Sequence, residues 1–164
     1  MPAVLILPTG VNLSHPDLAG KLVPGRDLVD GDDAPDDPNG HGTRVAGIAA
    51  AATANGIGVA GAAPQARIMP VRVLAADGSG DEGTIAQGIR WAAAHGAGVI
   101  NLSLGEEGFA SRLRRNGALN GAIRQVTAQY VLAVAVIAAG AAGGSWTRRR
   151  CARRRVLQHT RSWP

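Results

Sequence analysis

A chain of 164 residues, 46% of them hydrophobic, is one domain's worth of sequence with enough apolar side chains to bury a core. One phenylalanine, one tyrosine and 23 glycines mean that this core is built from small aliphatic side chains, and a single cysteine, Cys151, excludes an intrachain disulfide. The net charge of +5 conceals a division. Residues 1–144 hold ten Lys and Arg against all twelve acids, a net −2, and the seven arginines of residues 145–164 supply the remaining +7.

Taken in chain order, residues 3–7 form a short apolar run that predicts a buried strand. The segment Ser14-His15-Pro16-Asp17-Leu18 predicts a turn. Residues 27–39 are an acidic loop in which Pro35 and Pro38 oppose regular structure. Residues 43–53 predict a helix of small residues, and residues 55–65 a Gly/Ala/Pro connection. A strand is expected over 67–74 and a helix over 81–95, with acids at its start and Gly96 after its end. Residues 98–104 predict a second buried strand, 111–129 a helix, and 131–139 a further strand.

Strand alternating with helix predicts right-handed crossovers and a mostly parallel sheet, an α/β fold arranged as a three-layer α/β/α sandwich. Residues 131–144 are the longest apolar run, too short for the roughly 20 residues of a membrane-spanning helix, so no membrane is expected. No basic segment followed by an apolar stretch and a small-residue cleavage site follows Met1, so the sequence assigns no location.

The densest motif is Asn39-Gly40-His41-Gly42-Thr43-Arg44-Val45-Ala46-Gly47, a histidine between two glycines entering a small-residue helix. It resembles the catalytic-histidine motif of the subtilisin-like serine peptidases, the subtilases. Other segments resemble that family in the same order. Residues 4–11 resemble its first core strand and Asp-Thr-Gly turn, and residues 14–18 the segment that follows. Gly78-Ser79-Gly80 resembles the glycine-rich edge that pairs with substrate. Residues 99–105, with Ser103-Leu104-Gly105, resemble one wall of the specificity pocket. Residues 138–141 resemble the turn that carries the oxyanion asparagine. The resemblance covers about residues 3–144, and implies the subtilisin-like sandwich, truncated on its C-terminal side, and a polypeptide substrate.

In that family a serine attacks the peptide carbonyl, a histidine takes its proton, an aspartate orients the histidine and an asparagine binds the oxyanion. Within the family, loss of serine or histidine costs about 10⁶ in turnover and loss of the aspartate about 10⁴. By the resemblance, His41 is the histidine, Pro8 stands at the aspartate position and Ala141 at the asparagine. A Gly-Thr-Ser nucleophile motif is absent, and Ser79, Ser103 and Ser111 lie on segments with other roles. The expectation is a serine endopeptidase by descent that is inactive as this chain, the alternative being a non-catalytic peptide-binding pseudoenzyme.

The acids of residues 27–37 suit a hard cation, and some subtilases bind calcium in the matching loop; Asp30 and Asp32 are the candidate ligands. Residues 145–164 are expected to be an unstructured tail, read as translation out of frame. Nucleic-acid binding by its arginines is the weaker reading, because stacking aromatics are not interleaved with them. A sheet deprived of its later strands predicts marginal stability. Oligomeric state is not specified.

Overall fold

The computed structural model describes residues 3–6, 9–104, 117–128 and 132–135, the first and last of these as backbone alone. Five strands make up its sheet: β1 (Ala3–Ile6), β2 (Arg26–Asp27), β3 (Arg67–Arg72), β4 (Ala97–Leu102) and β5 (Leu132–Ala135). Their spatial order is β2-β3-β1-β4-β5 and every pairing is parallel. Among the described residues three helices accompany them: α1 (His41–Ala50), α2 (Glu82–Ala94) and α3 (Gly117–Thr127). A 3₁₀ turn, Pro16–Leu18, lies where the turn was expected.

A parallel sheet has to be covered on both faces, and two separate clusters do this. On one face, Ile85, Ile89 and Ala92 of α2 and Leu119, Ala122 and Val126 of α3 meet Met69, Val71 and Val73 of the third strand and its continuation. Spacings of three, four and seven residues put each helical set on one stripe. On the other face, Ala46 and Ala50 of α1 join Val11, Leu18 and Ile68. Ile68 and Met69 serve opposite faces, as alternation along a strand demands. No aromatic side chain belongs to either buried cluster, and alanine carries the helix–sheet contact on the α1 side. The small-residue core expected from composition is therefore what the described residues form.

The expected elements occur with ends shifted by a few residues. The first helix starts at His41 rather than Thr43, and so contains the histidine in its first turn. The two-residue strand β2 lies at the start of the acidic loop, where charge hid it from the sequence reading.

Pro70 lies inside β3, a strand with neighbours on both sides, where proline is normally excluded. The backbone explains it. Ile68 N–H donates to Lys21 and Ile68 C=O accepts from Val23, while Arg72 C=O accepts from Leu28. Even-numbered residues of β3 therefore face the β2 side, and the donor that Pro70 lacks falls opposite Pro24-Gly25. There the ladder is already interrupted: Leu22 is in register with Ile68, but Arg26 is in register with Val71. Gly25 is required at that break. A Cβ on it would sit 1.9 Å from the Pro70 carbonyl oxygen and 2.9 Å from the rings of Pro35 and Pro70.

Gly25→Ala is expected to destabilise the chain by about 1–3 kcal/mol, because backbone must move to admit the methyl group. Gly47, in α1, has open space at its Cβ position, and Gly47→Ala is expected to stabilise by about 0.5–1 kcal/mol. Thermal or denaturant unfolding of the two variants beside the parent checks both signs.

Candidate functional site

Helix α1 begins on a glycine. Gly40, its N-cap, has a left-handed φ of 87° and offers no side-chain acceptor to the free N–H groups of the first turn. The acceptor comes from Asp37. Its Oδ1 receives hydrogen bonds from Asn39 N at 3.1 Å, Gly40 N at 2.8 Å and Thr9 Oγ1 at 2.7 Å. Its Oδ2 receives Thr43 N at 2.8 Å and Thr43 Oγ1 at 2.6 Å. Burial alone would raise the Asp37 carboxyl, but the bonds from Thr43, Thr9 and Gly40 outweigh it and hold it below the usual carboxylate value.

His41 is the first residue of that helix and is half-buried. Its Nε2 lies 3.1 Å from the carbonyl oxygen of Ser103, just beyond the end of β4. A carbonyl only accepts, so this contact is a hydrogen bond in the forms of the ring that carry a proton on Nε2. A histidine that takes a proton from a serine needs the other tautomer, with Nε2 as the acceptor. The ring therefore bridges α1 to the strand end, across 62 positions of sequence.

The other expected site residues fall as follows. Ser103 and Leu104 are buried, and the Ser103 hydroxyl accepts from Asn101 Nδ2 at 2.9 Å. Gly78, Ser79 and Gly80 form an exposed turn, in which Gly78 N bonds the Ala75 carbonyl at 2.9 Å and Ala75 N the Ser79 carbonyl at 2.8 Å. The Ser79 hydroxyl donates to Asp77 Oδ1 at 2.6 Å. That turn borders a cleft of about 260 Å³ in which Leu28, Val29, Val73 and Ala75 face Ser79, Asp81 and Thr84. Pro8, Gly105, Ser111 and Ala141 lie outside the described residues, as does the tail of residues 145–164.

In the acidic loop, arginine does what a cation would do. Arg72 Nη1 is 2.8 Å from Asp27 Oδ2 and 2.5 Å from Asp30 Oδ2. Burial would lower the guanidinium pKa, but Asp30 and Asp27 raise it above its ordinary value. Asp27 Oδ1 also accepts from the backbone of Val29 and Asp30. Asp32 Oδ1 accepts from Ala34 N, and Asp33 pairs with Arg26 at 2.6 Å. Among the described residues, no group of three or more potential ligands is close enough to hold a metal ion. Of the two candidate ligands, Asp30 pairs with a guanidinium through Oδ2 and Asp32 accepts from a turn amide through Oδ1.

Sequence reasoning missed Asp37 and Arg72. The signal for Asp37 was available: a helix that starts on glycine needs an acceptor, and an acid three residues earlier is the nearest. Arg72 carried no local signal, because its partners lie 42 and 45 positions away.

The geometry defines a parallel α/β sandwich that presents a histidine from a helix N-terminus to the end of a central-sheet strand. Comparison with known proteins makes the assignment specific. Residues 2–152 match the family model described as the subtilase family. The chain is 57% identical over 102 residues to thermitase of Thermoactinomyces vulgaris, a match covering 62% of this chain and 37% of that protein. It is 42% identical over 140 residues to subtilisin Savinase of Lederbergia lenta, covering 85% of this chain and 48% of that one. Among solved structures, Sphericase superposes with a TM-score of 0.71 at 34% identity, over 81% of this chain and 44% of that chain. The chain belongs to the subtilase family, and it spans between a third and a half of the length of these relatives.

Two outcomes test the electrostatics. Arg72→Met strips the buried Asp27 of its counter-ion and is expected to cost about 3–5 kcal/mol, whereas Asp30→Asn, at a mostly exposed carboxylate, costs no more than about 1 kcal/mol; denaturant unfolding separates them. The folded pKa of Asp37 lies below its unfolded value. Its anchoring is therefore complete above an unfolded value of about 4 and is lost as the pH falls through the lower folded value. The Gly40 and Thr43 amide signals, followed through an acid titration, are expected to hold their positions down to that range.

Proposed function

We propose that this chain carries the histidine-bearing part of a subtilisin-like serine endopeptidase domain, and that residues 1–164 do not themselves hydrolyse peptide bonds. The observation that carries the reading is the His41 contact. While Nε2 donates to the Ser103 carbonyl, that nitrogen has no lone pair to receive a nucleophile's proton. The sequence supports the same reading twice, with Pro8 where the family has its orienting aspartate and with no Gly-Thr-Ser segment in these residues. Proline has neither the charge to stabilise an imidazolium nor an acceptor for an Nδ1 proton.

The reaction of the family is acyl transfer: attack on a peptide carbonyl, an acyl-enzyme, then hydrolysis. Of those parts, this chain supplies the general base position at His41 and the strand end at Ser103-Leu104 against which an extended peptide would lie. Strand addition uses backbone groups and no triad. Peptide binding without turnover is therefore the second reading, supported by the exposed Gly78-Ser79-Gly80 turn and the cleft beside it. The arginine tail is read as out-of-frame translation and is given no role in either.

The test is direct. The 164-residue chain, incubated with a chromogenic peptide substrate, is expected to release no product above its His41→Ala variant. Hydrolysis lost in His41→Ala overturns the proposal. Saturable binding of the same peptide that survives in His41→Ala favours the second reading. Pro8→Asp is expected to move the His41 ring toward the Nδ1–H tautomer, read from its ring nitrogen signals, without creating turnover.

A further inference from the structure

The bonds around Asp37 form a closed circuit larger than a helix cap. Thr9 Oγ1 donates to Asp37 and itself accepts from Gly42 N at 3.1 Å. Thr43 Oγ1 donates to the same carboxylate and accepts from Asn12 N at 2.8 Å. The chain that leaves β1 is thus tied twice to the first turn of α1, and Asp37 is common to both ties. The loop carrying Asp37 is itself clamped to that chain: Val11 N bonds the Pro35 carbonyl at 3.0 Å, and a Cβ on Gly10 would lie 2.2 Å from the Asp36 carbonyl oxygen. With φ at +101°, Gly10 is the residue that lets the two segments approach so closely.

We propose that Asp37 is the positioning residue of the site: through Thr9 and Thr43 its carboxylate sets where the His41 ring lies relative to the Ser103 carbonyl. The inference rests on reading His41 as a peptidase histidine only for its purpose; the geometry stands without turnover. Asp37 touches no reacting atom. It acts on His41 by fixing the three backbone positions Gly40, Gly42 and Thr43 that surround the ring's own residue.

The carboxylate is needed as such. All five of its partners donate to it. An asparagine could offer one oxygen to Thr9, Asn39 and Gly40, but its NH₂ would face the Thr43 N–H, donor against donor. Replacing a shared acceptor by a donor leaves a part-buried N–H unpaired and adds repulsion. Asp81 provides a matched control. It caps α2 in the same manner, accepting from Gly83 N at 2.8 Å and Thr84 N at 3.0 Å, but has no tie to the exit of β1.

The experiment uses the whole chain labelled with ¹⁵N and reads the His41 ring nitrogens together with the melting temperature. Asp37→Asn is expected to collapse the difference between the protonated Nε2 and the unprotonated Nδ1 toward the averaged signals of a free imidazole. Asp81→Asn is expected to lower the melting temperature while leaving the His41 signals where they are. Should Asp37→Asn fail to fold, Thr9→Val removes one of the two ties to the β1 exit and is expected to move the same signals in the same direction. His41 signals unchanged in a folded Asp37→Asn or Thr9→Val variant overturn the proposal, as does an equal displacement in Asp81→Asn. Because no readout is hydrolysis, failure here is distinguishable from failure of the peptidase reading.

Discussion

A parallel sheet with both faces covered is the constraint from which the rest of this structure follows. Such a sheet cannot leave a face to water, so its connections must be helices and its helices must lie on both sides. Here the two sides are unequal. α2 and α3 pack together on one face with branched side chains, whereas among the described residues α1 covers the other, chiefly through alanines. Small side chains bring the α1 backbone close, and that approach is what lets a residue in its first turn reach the carbonyl just beyond β4. The contact between His41 and Ser103 is a consequence of core composition before it is a matter of catalysis.

The charge distribution follows a similar economy of partners. Most described acids lie in one loop, and that loop is held by arginines and by its own backbone. Arg72, at the end of β3, takes Asp27 and Asp30; Arg26, on β2, takes Asp33; Asp27, Asp32 and Asp37 bind peptide N–H groups. A segment that composition presents as a repelling acidic run is in fact an ordered lattice of hydrogen bonds. Salt weakens only its outer part, because Asp27 is buried to 1% exposure whereas Asp33 is largely in water.

Much of this was legible in the sequence. The alternation of apolar runs with helical patterns gave the layers, and the spaced motifs from residue 4 to residue 105 gave the family, because local pattern suffices for both. Boundaries were less readable. The helix was expected to start at Thr43 because glycines and a histidine are poor helix formers, yet tertiary bonds to Asp37 start it at His41. β2 was invisible because a two-residue strand has no period. Pro70 argued against a central strand by local rules, and only the break opposite it, at Gly25, removes the conflict. The orientation of the His41 ring was illegible for a different reason: it depends on a carbonyl 62 positions away.

The interruption at Gly25 also divides the sheet mechanically. With no donor at Pro70 and a shift of one residue in register, the arm from Leu22 to Asp27 is joined to β3 by two short stretches of ladder instead of one continuous one. The buried pair of Asp27 with Arg72 therefore adds a side-chain tie to β3 where the ladder is short. The acidic loop that hangs from this arm carries Asp37 at its far end. One loop thus runs from the outer edge of the sheet to the helix that bears the histidine.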